Sequence, residues 1–274
     1  LAAHFFRLFR AKICAPQAHT LSTTATSALH AGHEGGIHMR SVLIIGSGPD
    51  AVQARDWTQN PFDHTLAINN AWQVRHDWDS LIFPDDFPSG RQPRTDATQR
   101  NIIRSGDYVP VQNRFGGFVY AGGTMAFTAA YWALGTHNPQ VIAMVGCDMI
   151  YPATGPTHFY GTGQPDPLRK DISLRSLPAK SARLMALAAQ RGCAMVNLSD
   201  GPSQLTFPRS HPSAAAAHKP LQHSASAVAA ALAEEARLEY YVPSGKYWKE
   251  EARFDPAKID ALDAMWLALR PPLQ

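Results

Sequence analysis

Cysteine is scarce in this chain of 274 residues, and several other marks of whole protein classes are missing with it. Cys14, Cys147 and Cys193 form no C-x-x-C pair and cannot frame a disulfide scaffold. The last two sit in apolar, strand-like runs, where free Cys behaves as a small buried hydrophobe. A reducing compartment is therefore expected, and with it a cytoplasmic location. No apolar run approaches the roughly 20 residues that a membrane-spanning helix needs, so no membrane span is expected. Charged residues make up only 17% of the chain, with a net charge of +3. No Lys/Arg block is interleaved with aromatics, so nucleic acid is not an expected partner. What is present is apolar: 45% hydrophobic residues are enough to bury a core, in a chain barely longer than one ordinary domain.

Composition divides the chain into four parts. Residues 1–38 carry Arg7, Arg10, Lys12, many Ser/Thr and His, and Glu34 alone as an acid. That resembles a transit peptide, but Met39 lies just ahead of the first core strand, and an upstream extension of the reading frame is the preferred reading. A core domain is expected over 39–206. The Pro-, Ala-, Ser- and His-rich stretch 207–227 reads as a linker, and 228–274 as a helical segment. In its last helix Asp255 can cap, Pro256 suits the first turn, and Ile259, Leu262, Trp266 and Leu269 share a face. That face either docks back on the domain or joins a second chain in a homo-oligomer.

Within 39–206 short apolar runs alternate with helical stretches. SVLIIG (41–46), TLAIN (65–69), SLIFP (80–84), VIAMVG (141–146) and CAMVNL (193–198) have the form of strands buried on both faces. GGTMAFTAAYWALG (122–135) is an Ala-rich helix with a stop at Gly135, and DISLRSLPAKSARLMALAAQRG (171–192) is a second. Pro178 is expected to break or kink the latter, moving its start toward Ala179. The predicted fold is α/β, a doubly wound, mostly parallel Rossmann-like sheet with a helical C-terminal appendage. In that architecture ligands lie at the carboxyl ends of the strands.

The first such end, IGSGPDA, has the G-x-G-x-x-A form of a dinucleotide loop in Gly46, Gly48 and Ala51. A dinucleotide site wants an acid at the end of the second strand to hold the ribose. Asn69 and Asn70 stand there instead, and Pro49 removes one amide from the loop. The loop is still suited to a phosphate or ribose, or serves only as a tight turn.

Three further features join it in order: the strand-end Asn69, the small-residue helix start Gly122, Gly123 and Thr124, and VGCD at 145–148. Together they resemble the bacterial family 42 sialyltransferases and the wider MptE-like Rossmann proteins, which include 6-hydroxymethylpterin diphosphokinases. The resemblance spans roughly residues 42–202. It implies a CMP-sugar site formed by Gly46, Ser47, Gly48, Pro49, Asn69, Gly122, Gly123 and Thr124; Asp148, at the carboxyl end of a buried strand where ligands bind in this architecture, is suited to hold a sugar hydroxyl or a magnesium ion. Residues 157–172 look like the family's mobile loop, and the Gly- and Pro-rich stretch 153–170 is expected to order over bound nucleotide. Thr162 occupies the position of the family's general-base His, and His158, four residues earlier, is the substitute candidate. Tyr160 or Tyr151 is then placed to bond the leaving phosphate. Arg169 and Lys170 read equally well as phosphate ligands or as solvated loop charges.

The resulting expectation is a nucleotide-sugar-dependent glycosyltransferase acting on a glycan or other hydroxyl acceptor. It needs no cofactor beyond its donor and no metal ion, for no Asp-x-Asp stands at a strand's carboxyl end. Its alternatives are an MptE-like diphosphokinase, which would need ATP and Mg²⁺ on Asp148, and a nucleotide-binding protein without catalysis.

Overall fold

The computed structural model describes residues 40–94, 101–163 and 169–270. The expected N-terminal extension, with Cys14, lies outside the described residues, as do Pro165 and Pro167 of the expected mobile loop.

Six strands, β1 (Ser41–Ile45), β2 (His64–Ile68), β3 (Ser80–Ile82), β4 (Asn101–Ile103), β5 (Val141–Val145) and β6 (Ala194–Asn197), form one parallel sheet in the order β4-β3-β2-β1-β5-β6. The order reverses at β1, whose neighbours are β2 on one side and β5 on the other. That reversal leaves a crevice at the carboxyl ends of β1 and β5, the usual ligand position in such a sheet.

Alternation along the strands builds two cores. Val42, Ile44, Leu66, Ile68, Ile142 and Met144 face one side, and Leu43, Ile45, Ala67, Leu81, Ala143 and Val145 the other. Each fully buried Val, Leu or Ile stabilises the fold by about 1.5–3 kcal/mol. The first side is covered by α-helices: α1 (Ser105–Asn113), the single turn α2 (Phe118–Ala121), α3 (Met125–His137), α4 (Leu177–Gln190), α5 (Ala225–Leu238) and α6 (Pro256–Leu267). The second is covered by 3₁₀ turns at Pro49–Arg55, Asn69–Gln73 and Pro212–Ala217, with Trp78, Phe83 and Phe87. The sheet is thus flanked on both faces, but by regular helices on one only.

Local chemistry sets the helix ends. Thr124 accepts the Phe127 amide at the start of α3, Ser176 that of Ala179 in α4, Ser224 that of Ala227 in α5 and Asp255 that of Ala257 in α6. Pro178 does not break α4. It occupies the first turn, where its missing N–H has no helical partner to lose.

The last helix docks within the chain: Ile259, Leu262 and Trp266 are buried against the helical core, with Leu269 packed at its margin. Two buried ion pairs hold this seam, Lys180 with Asp263 at 2.8 Å and Arg183 with Glu235 at 2.6 Å. The stretch read as a linker lies partly against the sheet. Asn197 of β6 donates its amide to Pro208 and accepts from Ser210, so this segment covers the edge that β6 would otherwise leave open.

Candidate functional site

The crevice at the strand reversal is a cleft of ≈ 330 Å³. Gly46, Ser47, Gly48 and Pro49 after β1, Asn69 after β2, Thr124 at the start of α3, Asp148 after β5, and Tyr151, His158 and Tyr160 all line it. Of the residues assigned to the donor site, Gly122 and Gly123 lie elsewhere, and of the loop residues also singled out Thr162, Arg169 and Lys170 do not line this cleft. Gly122 turns the chain into α3 with φ +90°, and a Cβ there would meet Phe127 at 2.7 Å. Gly123 faces a neighbouring cleft.

The two glycines after β1 have a structural task. The Gly46 amide donates to the Val145 carbonyl at 2.8 Å and the Gly48 amide to that of Gly146 at 2.7 Å. A Cβ on either would come within 2.8 Å or less of the Gly146 oxygen. Gly46 and Gly48 therefore let the β1 and β5 loops touch, and these two amides are not free to cradle a phosphate. Amides for an anion are instead found at the α3 start, where Met125 and Ala126 line the cleft in the first turn of a 13-residue helix. Asp50 accepts from the Gly201 amide at 2.9 Å and so ties the β1 loop to the loop after β6.

Asn69 ends β2 in the left-handed region, φ 53°, a conformation that non-glycine residues rarely adopt. Its Oδ1 is buried with no hydrogen-bond partner among the described residues. An unsatisfied buried acceptor costs about 1–3 kcal/mol, which a ligand donor would relieve. Asp148, 8% exposed, accepts from Asn197 Nδ2 at 3.0 Å, and its backbone carbonyl accepts from Gln204. Beside it, burial pushes the Cys147 thiol well up, aided by the Asp148 charge; this cysteine stays a neutral, inert thiol.

His158 sits in a tight turn, its amide donating to the Gly161 carbonyl at 3.0 Å. Its ring stacks on Tyr160 at 5.0 Å and lies 6.0 Å from Tyr151. Its Nδ1 is 2.8 Å from Thr157 Oγ1, which accepts the Gly163 amide at 3.0 Å and donates to the Gly163 carbonyl at 3.4 Å. A hydroxyl has one proton and two lone pairs. Assigning that proton to Gly163 makes Nδ1–H the donor to Thr157 and leaves the Nε2 lone pair for a ligand. Burial lowers the His158 pKa, so the ring is neutral at pH 7. Thr162 lies outside the cleft and donates to the Gly155 carbonyl.

Arg91, Phe87 and Thr157 also line the cleft and were not found from the sequence; Asp86 lines it too, and its acidic pair with Asp85 reads in the sequence at least as well as a turn former. No spacing marks Asp86 and Arg91, which arrive on an irregular loop after β3. Thr157, adjacent to His158, is the exception, because a hydroxyl beside a candidate base is a recognisable orienting partner. The chain's Asp-x-Asp, Asp77 to Asp79, stands at the amino end of β3, at the far end of the sheet from the cleft. Asp77 there pairs with Arg75 and Asp79 accepts the Thr65 amide. Among the described residues no group of three or more His, Cys, Asp or Glu is placed to hold a metal ion, and no helix is long and apolar enough to cross a membrane.

Comparison with family models, curated proteins and solved structures returned no match. The sialyltransferase resemblance therefore rests on the residues quoted above and on nothing further.

Proposed function

We propose that this chain is a nucleotide-sugar-dependent glycosyltransferase whose donor occupies the cleft at the carboxyl ends of β1, β2 and β5, with a CMP-sugar as the donor class. The observation that carries this reading is the meeting, in one cleft, of an unsatisfied Asn69 oxygen, a helix start and a neutral His158. Asn69 Oδ1 accepts from a ribose hydroxyl or a base amino group. The first turn of α3 receives the phosphate, where its amides and dipole favour negative charge. His158 Nε2 takes the proton from an acceptor hydroxyl. The freed oxygen forms the new C–O bond at the anomeric carbon, and the old C–O bond breaks with its electron pair leaving on the phosphate. Tyr151 or Tyr160 donates to that departing oxygen.

Mass spectrometry of nucleotide released from the purified protein, with turnover of CMP-sugar in EDTA, tests the reading. Released cytidine nucleotide and chelator-resistant transfer are expected. ATP turnover abolished by EDTA and restored by Mg²⁺ would replace the reading with a diphosphokinase, for which Asp148 and the loop residue Asp86 are the carboxylates that line the cleft among the described residues. Tight nucleotide with no turnover of either donor would leave a binding protein.

A further inference from the structure

A second, larger cleft of ≈ 750 Å³ adjoins the first, with Pro84, Asp86 and Met125 common to both walls. Its far wall comes from the segment between α5 and α6: Ser244, Lys246, Tyr247 and Trp248. Trp248 is 56% exposed, which makes it the most exposed large hydrophobic side chain among the described residues. An indole left open at the rim of a cleft is poorly accounted for by packing.

Its support is rigid. The Trp248 ring meets Tyr247 edge-on at 5.6 Å, and Tyr247 stacks on Phe118 at 6.3 Å. The Tyr247 hydroxyl donates to Asp171 Oδ2 at 2.7 Å. Burial works against the Asp171 charge, but hydrogen bonds from Ser173, Tyr247 and Arg169 outweigh it and hold its carboxyl below the usual range. Arg169 bonds Asp171 at 3.0 Å and also lines the cleft. Asp85 and Asp86 line the same cleft, the Asp85 carboxylate accepting from the Ser105 hydroxyl.

We infer that this second cleft binds a pyranose ring, with Trp248 against its apolar C–H face and Asp85, Asp86 and Lys246 bonding its hydroxyls. A flat aromatic surface edged by carboxylates and an ammonium matches a sugar, which presents both an apolar face and a ring of donors and acceptors. Asp85, Asp86 and Asp171 outnumber Arg169 and Lys246 on this wall, which disfavours a phosphate here. Only the further step, that the bound sugar is the acceptor whose hydroxyl reaches His158 across the shared wall, rests on the transferase reading above.

The test is a titration of the full chain with lactose, maltose and cellobiose, read by tryptophan fluorescence and calorimetry, in parallel with a titration by CMP. At least one saccharide is expected to bind saturably at millimolar concentration. Trp248→Ala should weaken it about tenfold or more and Asp86→Asn should weaken it as well, while Trp248→Ala leaves CMP affinity unchanged. Trp248 is exposed, so its removal leaves the fold intact. No saturable saccharide binding, or equal affinity in wild type and Trp248→Ala, overturns the inference. Saccharide binding without CMP binding would keep the inference and remove the nucleotide reading, so the two fail separately.

Discussion

The Arg183–Glu235 pair in the seam that joins α4 to α5 and α6, and the cleft at the strand ends, treat polar side chains in opposite ways, although the same seam also holds Asp263, whose Oδ2 is buried with no hydrogen-bond partner among the described residues. In the seam every nitrogen of the Arg183 guanidinium has a partner: Nε bonds Glu235, Nη2 bonds Glu235 and the Phe115 carbonyl, and Nη1 bonds the Tyr131 hydroxyl. Glu235 in turn accepts from the Trp266 indole at 3.0 Å. In the cleft Asn69 Oδ1 is unanswered, the His158 Nε2 lone pair is open, and the Asp148 carboxylate has one bond, from Asn197. A charge answered within the chain fixes the fold. A group left unanswered at a strand end is available to a ligand.

The sharpest way to break this contrast is to unbalance the seam. Glu235→Ala leaves the Arg183 charge 1% exposed and unpaired, which should cost about 3–5 kcal/mol of stability. Urea denaturation reads this directly, and a loss below about 1 kcal/mol would mean that the seam does not hold the C-terminal helices. The converse substitution belongs to the cleft. His158→Ala should lower turnover by roughly 10² to 10⁴ with stability and donor affinity nearly unchanged, the range for losing a general base. Equal rates for wild type and variant across pH 5–8 would remove His158 from the mechanism.

A smaller effect comes from a third place, where His64 and His137 lie 4.8 Å apart at the amino end of the sheet. Burial lowers both pKa values, that of His137 to about 4, where the neighbouring His64 adds to the shift, whereas Asp79 partly offsets the effect on His64. The unfolded chain therefore binds more protons than the folded one between about pH 4 and 6.5. Stability is complete above about pH 6.5 and falls as the pH drops through that window. His137→Gln should flatten this slope in denaturation midpoints measured from pH 7 to 4.5; an unchanged slope would assign the acid sensitivity to carboxylates instead.

The same contrast explains what could be read from the sequence. The strands β1, β2, β3, β5 and β6 were legible because residues buried on both faces leave continuous apolar runs, and α3, α4 and α6 because caps and apolar faces mark them, although α3 runs through the stop expected at Gly135 and ends at His137, capped by Asn138 in the left-handed region. Strand β4 was missed: three residues, Asn101 to Ile103, are too few to show a period, and Asn101 is exposed. The 3₁₀ turns that cover the second face lack helical periodicity and were not foreseen either. The Arg183–Glu235 pair was invisible because its partners are 52 positions apart and buried charges look like surface charges in a sequence. Most of the cleft was legible, since strand-end glycines, Asn69, Asp148 and His158 stand where the topology must bring them. Gly122 and Gly123 were not separable from it by sequence, because a small residue needed for packing against Phe127 or Tyr247 reads the same as one needed for a phosphate.

The central claim is that a nucleotide lies on Asn69. Gly48 is a poor probe, since any side chain there strikes the Gly146 backbone. Asn69→Gly keeps the left-handed backbone accessible and removes the side-chain amide, its Oδ1 acceptor together with its Nδ2 donor. Calorimetric titration of both proteins with CMP should show saturable binding to wild type, weakened about tenfold in the variant, as for the loss of one buried hydrogen bond, with unfolding midpoints no lower than wild type. Equal CMP affinity in the two proteins, or none in either, would contradict it.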